Sequence, residues 1–151
     1  MVPETEYDAI VIGGGPAGQH CATHMTDGGL RVALAERERV GGECDFYACI
    51  PSKTLLRPGE ALQAAREAPG AAQAMTGELD HDAAFEWRDF MVSSYDDSAK
   101  AAWLEGNGID VLRGDARLAG PGRVEVDGAA YVAKNVVIAS GFGFPACLRG
   151  L

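Results

Sequence analysis

Cys44 and Cys49 are separated by four residues, and Lys53 follows four positions later. A close thiol pair can be a structural cross-link, half of a metal site or a redox couple. With four cysteines in the chain and a reducing compartment expected for it, a catalytic or metal-binding pair is favoured over a staple. Cys-x4-Cys lacks the tighter spacing commonest among zinc ligands, and no second pair follows. Two unpaired, buried cysteines remain the plainest alternative, and Lys53 by itself reads as a solvated helix lysine.

A second constellation lies upstream. Gly13-Gly14-Gly15-Pro16-Ala17-Gly18 satisfies G-x-G-x-x-G at a strand-to-helix junction. Gly13 permits the tight turn, Gly15 lets the backbone approach a pyrophosphate, and Gly18 allows close packing of helix on strand. The exposed amides at the helix start, aided by its dipole, form an anion site together with Pro16 and Ala17. Glu36, followed by Arg37, ends the next strand, where a carboxylate can accept hydrogen bonds from both hydroxyls of a ribose and repel a 2'-phosphate. The bland reading is a glycine turn followed by a solvated charged run, Glu36-Arg37-Glu38-Arg39. The motif alone does not separate FAD from NAD.

The elements that must position these residues follow from the apolar pattern. Tyr7 to Ile12 reads as a buried parallel strand, Gly18 to Thr26 as a helix ended by Gly28-Gly29, and Arg31 to Ala35 as a second strand. Together they make a right-handed βαβ unit. Pro51 to about Ala68 reads as two helices or one kinked at Pro58, and Gly70 to Asp80 as a surface loop. Asp82 to Leu104 reads as one long amphipathic helix, with Trp87, Met91, Tyr95 and Ala102 as core positions. Ile109 to Leu112, Arg123 to Val126 and Tyr131-Val132 read as an antiparallel hairpin appended to the sheet, and Asn135 to Ala139 as another buried strand. The expected fold is therefore α/β, a Rossmann-like parallel sheet with flanking helices and a small antiparallel β hairpin.

At 151 residues and 47% hydrophobic composition, the chain is long enough for one domain with a real core. A net charge of -9 with dispersed Lys and Arg speaks against nucleic acid as a partner. The amino terminus lacks a positively charged start, and three glycines cut its apolar run short, so neither a signal peptide nor a membrane span is expected. A cytoplasmic location is the default.

The segment Gly41-Gly42-Glu43-Cys44-Asp45-Phe46-Tyr47-Ala48-Cys49-Ile50-Pro51-Ser52-Lys53 resembles the GGTCxNxGCIPSK signature of the pyridine nucleotide-disulfide oxidoreductases, which include dihydrolipoyl dehydrogenase, glutathione reductase and mercuric reductase. The resemblance implies FAD as cofactor, with electrons passing from NAD(P)H to FAD, then to a Cys44–Cys49 disulfide and on to substrate. It implies that Cys44 is the exchange thiol, that Cys49 is the charge-transfer thiolate against the flavin, and that Lys53 tunes the flavin's redox-active edge. Five helical residues rise about 7.5 Å, more than the Cα separation of about 7 Å that a disulfide tolerates, so Cys44 is expected in a loop that folds back. Pro51 suits a first helical turn, which sets Cys49 near a helix start whose dipole favours a thiolate.

Gly114-Asp115-Ala116 resembles the segment whose backbone contacts the adenine of FAD, and Val136 to Gly141, with Ala139, Ser140 and Gly141, resembles the VIATGS segment that closes the first FAD-binding stretch. Departures from the pattern are Glu43 for Thr, Phe46 for Asn, Ala48 for Gly, Ser140 for Thr and Phe142 for Ser. Cys21 and Cys147 read as ordinary small apolar residues, and His20, His24 and His81 as surface positions. On this resemblance residues 1–141 are the first, incomplete segment of an FAD-binding domain, and 142–151 begin a connection to an NAD(P)-binding domain. Such a piece is expected to be truncated and inactive alone, unless a separate chain supplies the missing domains; full-length relatives are homodimers. The alternative is a non-catalytic nucleotide-binding module or a fragment without independent activity.

Overall fold

The computed structural model describes residues 5–141. Phe142, Cys147 and the expected connection over 142–151 lie outside them. Strand β1 (Thr5–Ile12) runs through the glycine turn into helix α1 (Pro16–Asp27), and β2 (Val32–Glu36) follows. Pro16 occupies the first helical position, where its missing N–H costs no hydrogen bond. Helices α2 (Gly42–Phe46), α3 (Cys49–Glu67), α4 (His81–Met91) and α5 (Ser98–Gly106) come next, then strands β3 (Ile109–Arg113), β4 (Ala116–Gly120), β5 (Arg123–Val126) and β6 (Ala129–Ile138). The described residues divide into two compact units, one of residues 5–42 and 97–141, the other of residues 43–96.

The first unit holds a six-stranded sheet in the order β3-β2-β1-β6-β5-β4. Strands β3, β2, β1 and β6 are mutually parallel, while β4 and β5 are antiparallel to their neighbours. One core cluster joins Ala22 of α1 and Leu104 of α5 to Val11, Val32, Leu34 and Ile109 of the strands. The other joins Tyr7 and Ile10 to Val124, Val126 and Ala133. Strands buried on both sides explain the near-continuous apolar runs of β1 and β2.

At the sheet end opposite the glycine turn, the buried Tyr7 hydroxyl donates to Asp110 at 2.8 Å, and the Arg31 guanidinium lies 4.9 Å from its ring centre. Burial first, and then the hydrogen bond to Asp110, push the phenol up to about 12 from 10.0. A folded value above the unfolded one means that its stabilisation is complete below pH 10 and is lost as pH rises through about 12. Ultraviolet titration of tyrosinate should show a late phase near pH 12, and Tyr7→Phe should remove it. An unchanged titration curve in Tyr7→Phe above about pH 11 would contradict this.

Several expectations are corrected. Residues 82–104 form two helices, α4 and α5, because Ser93, Ser94 and Tyr95 all adopt positive φ (52°, 50° and 62°) in the intervening turn. Trp87 and Met91 are not core but 40% and 44% exposed, and Ala102 is exposed too. Of the two forms expected around Pro58, the structure has the single helix, α3. Ile109 to Leu112 belongs to the parallel sheet beside β2, not to the hairpin. Tyr131-Val132 and Asn135 to Ile138 are one strand, β6, which pairs antiparallel with β5 at its start and parallel with β1 along its length. The expected hairpin is thus β4 and β5 with the start of β6. Cys44 sits in the short helix α2 rather than in a loop.

Candidate functional site

The glycine turn is held by contacts that leave no space for side chains at two positions. A Cβ on Gly13, whose φ is +110°, would stand 2.4 Å from the carbonyl oxygen of Ala139, and one on Gly18 would stand 1.9 Å from that of Gly13. Gly15 differs: nothing lies within 4 Å of the corresponding point. That open space beside a helix start is what close approach of a pyrophosphate requires. Gly14 between them is fixed on both sides. Its carbonyl accepts from the Gly41 N–H at 2.8 Å and from the Gln19 side-chain amide at 2.9 Å. Its N–H donates to Glu36 Oε2 at 2.6 Å.

Glu36 ends β2, as the motif requires, and its Oε1 accepts from the Glu38 N–H at 2.7 Å. Each carboxylate oxygen therefore retains a lone pair for a ribose hydroxyl. Arg37 is exposed beside it. The following loop is clasped by Asp97, whose carboxylate accepts from the Val40 N–H and from Arg113, both at 2.6 Å. Burial pushes the Asp97 carboxyl up, but the bonds from Arg113 and the Val40 N–H outweigh it and hold it below the ordinary 3.8. The clasp precedes Gly41 and Gly42. A Cβ on Gly42 would lie 2.8 Å from Cα of Gly15, so this glycine pair can run directly beside the turn. Asp97 and Arg113 escaped the sequence reading, although Asp97-Ser98 is a helix-start signal inside an apparently continuous helix.

Gly114-Asp115-Ala116 joins β3 to β4 and starts beside Glu36, with the Gly114 N–H donating to the Glu36 carbonyl at 3.0 Å. Ala139 follows β6, its N–H bonded to the Ile12 carbonyl at 2.8 Å, and the exposed Ser140 and Gly141 come after it. The glycine turn, Glu36, Arg37, Gly41, Gly42, Asp115, Ala116 and residues 139–141 thus all belong to the first unit. Cys44, Cys49 and Lys53 belong to the second.

In that unit α2 turns back through Tyr47 and Ala48, both of whose N–H groups donate to the Glu43 carbonyl, at 2.9 and 2.7 Å. Cys49 opens α3 with Ala48 as its N-cap, and Pro51 is in the first turn. Both cysteines are half-buried free thiols, and Cys49 is the neighbour that acts most strongly on Cys44. That neighbour first, and burial second, raise the Cys44 thiol above 9.0, while the exposed Lys53 pulls it down. Alkylation of Cys44 by iodoacetamide, read by peptide mass spectrometry, should therefore rise with a midpoint above pH 9.0, and Lys53→Gln should move it higher. A midpoint at or below 9.0 in the parent chain, or no upward shift in the variant, would contradict the stated balance. Two neighbouring thiols, one of them at a helix start, are a pair that can be oxidised to a disulfide and reduced again.

The family model described as pyridine nucleotide-disulphide oxidoreductase matches residues 7–150. The chain belongs to this family. Its members are FAD-dependent flavoproteins, so FAD is the cofactor that the resemblance of the cysteine segment implied. A dihydrolipoyl dehydrogenase of Thermus scotoductus is 39% identical over 135 residues, covering 89% of this chain and 29% of the relative. A mercuric reductase of Lysinibacillus sphaericus is 33% identical over 142 residues, covering 93% and 26%. The solved structure of the HOCl-induced flavoprotein disulfide reductase RclA from Escherichia coli has a TM-score of 0.68 at 26% identity, covering 93% of this chain and 30% of that one. The chain therefore spans less than about a third of the length of these relatives. Among its described residues no helix is long and apolar enough to cross a membrane.

Proposed function

We propose that the chain is the FAD- and disulfide-bearing segment of a pyridine nucleotide-disulphide oxidoreductase, passing electrons from NAD(P)H through FAD and a Cys44–Cys49 disulfide to a substrate. The observation that carries this reading is the pair of free, half-buried thiols, Cys44 in α2 and Cys49 at the start of α3, in a chain of this family. Residues 1–141 would form the first segment of the FAD-binding domain, and the residues after them a connection. The amides of the turn from Gly13 to Gly18, with Gly41 and Gly42, would face the pyrophosphate. Glu36, with Arg37 beside it, would take the ribose, Asp115 and Ala116 the adenine, and Ala139 to Gly141 the closing stretch.

FAD, when bound, supplies two-electron redox chemistry. The chain's own part is to hold two thiols that become one disulfide and back, two electrons and two protons at a time. Cys49 is assigned to the flavin and Cys44 to exchange with substrate. A thiol held above its ordinary value needs a proton acceptor before it attacks at neutral pH, so Cys44 depends on a base. These 151 residues contain one glycine-rich dinucleotide fingerprint. Delivery of hydride from NAD(P)H would accordingly need a second segment, in the same polypeptide or in a separate chain. A cytoplasmic site of action suits such a thiol couple.

The test is a titration of the purified chain with FAD, followed by quenching of flavin fluorescence, and then a visible spectrum after addition of a dithiol. Saturable binding and a long-wavelength band from thiolate to flavin are expected. Binding without the band would leave a nucleotide-binding module, and no binding would sink the flavin reading for this chain.

A further inference from the structure

We propose that Asp127 is a positioning residue for the adenine end of the dinucleotide, a role that rests on the flavin reading above. Asp127 and Gly128 form the two-residue turn between β5 and β6, with φ of 47° and 85°. Positive φ at both positions belongs to a tight hairpin turn, for which Asp-Gly is a favoured pair. That accounts for the backbone of Asp127 and leaves its side chain unexplained.

The carboxylate reaches the residue that precedes the neighbouring strand β4. Its Oδ1 accepts from the Asp115 N–H at 2.9 Å, and the Asp127 N–H donates to the Asp115 carbonyl at 3.3 Å. One residue thus holds both polar backbone groups of Asp115. The carboxylate also lies where a side chain on Gly114 would be: a Cβ there would stand 2.4 Å from Asp127 Oδ2, at a φ of +142°. Gly114 in turn donates its N–H to the Glu36 carbonyl. The clamp therefore ties the segment assigned to adenine to the end of β2, whose side chain is assigned to ribose. Asp115 does not hold the segment by its own side chain, which faces Arg117 at 3.2 Å. Asp127 sets the spacing between the two ends of an adenosine without touching either.

Two substitutions separate this role from that of a turn residue. Asp127→Gly keeps the positive φ and deletes the acceptor, whereas Asp127→Asn keeps an acceptor oxygen and still tolerates the turn. In the flavin-free chain, exchange of the Asp115 amide should quicken by about tenfold in Asp127→Gly and stay near the parent rate in Asp127→Asn. FAD affinity should fall by about tenfold in the glycine variant, and so should that of ADP, which carries the adenine end alone. The asparagine variant should recover most of both. Parent-like FAD and ADP affinity in Asp127→Gly would overturn the proposal, as would an Asp127→Asn variant as weak as the glycine one. A parent chain that bound no FAD would sink the flavin reading and this use of the clamp with it, while the exchange rates would still show whether the clamp exists.

Discussion

Gly18→Ala loses FAD binding altogether and at least ~3 kcal/mol of stability, although it adds a single methyl group. The reason is the Gly13 carbonyl oxygen, 1.9 Å from where the new Cβ would stand, with a second contact at 3.4 Å to the Ala139 side chain. The first contact is with backbone, so no rotamer change relieves it. Either α1 lifts from β1 or the turn opens, and both undo the packing of Ala22 against Val11 and Leu34. Urea denaturation should show the loss, and an unchanged midpoint would refute the crowding argument. Gly15→Ala makes the informative contrast. Its methyl meets no protein atom, and Gly15 has φ of -70°, which alanine adopts freely. This variant should fold within ~1 kcal/mol of the parent. Its FAD affinity should nevertheless drop by about 100-fold, equivalent to roughly 2.7 kcal/mol, because the methyl occupies the approach assigned to the pyrophosphate. Parent-like binding by Gly15→Ala would remove the pyrophosphate from that position.

The second large effect concerns the thiols and is all-or-none. Treated with glutathione disulfide, the parent chain should lose two of its four titratable thiols, releasing two glutathione molecules as Cys44 and Cys49 join. Cys44→Ser and Cys49→Ser should each lose that two-thiol step, since no partner remains for the second exchange. The variants should then diverge in the presence of FAD and a dithiol. Cys49→Ser should lack the long-wavelength band entirely, whereas Cys44→Ser should keep it and gain intensity as its remaining thiolate is no longer consumed. Equal spectra for the two variants would refute the separate assignments. An unchanged thiol count in the oxidised parent would refute the redox pair itself.

Much of the fold's first half was legible in the sequence, because its constraints are local. Gly18 is required by a contact within one turn, Pro16 by the first helical position, and Glu36 by the end of an adjacent strand. Cys49 at a helix start followed from Pro51 two residues on. What escaped depends on distant partners. The break after Met91 follows from three consecutive residues at positive φ, and Asp97 beyond it serves Val40 and Arg113, neither of which is near it in the chain. Helical periodicity placed Trp87 and Met91 on one face of α4 without saying whether anything covers that face. The double duty of β6 was hidden because its start follows a hairpin signal, while its parallel partner lies at the other end of the described chain. For the site, residue types were readable, but the clasp and the clamp that fix them are carboxylate-to-amide bonds with no sequence period.

The pairing of β1 with β6 also bears on how the protein is made. The Asn135 side chain bonds the Asp8 carbonyl across 127 residues, and the wall against which Gly13 packs is Ala139. Contacts of such long range must close a large loop before they repay its entropy, so they form late and slowly. During synthesis β1, α1 and β2 can associate early, yet the turn between them stays without its backing until the stretch after β6 has cleared the ribosome. Cofactor loading is thereby placed after elongation of this region, and a nascent chain halted before residue 129 would present an open sheet edge to chaperones rather than a dinucleotide site.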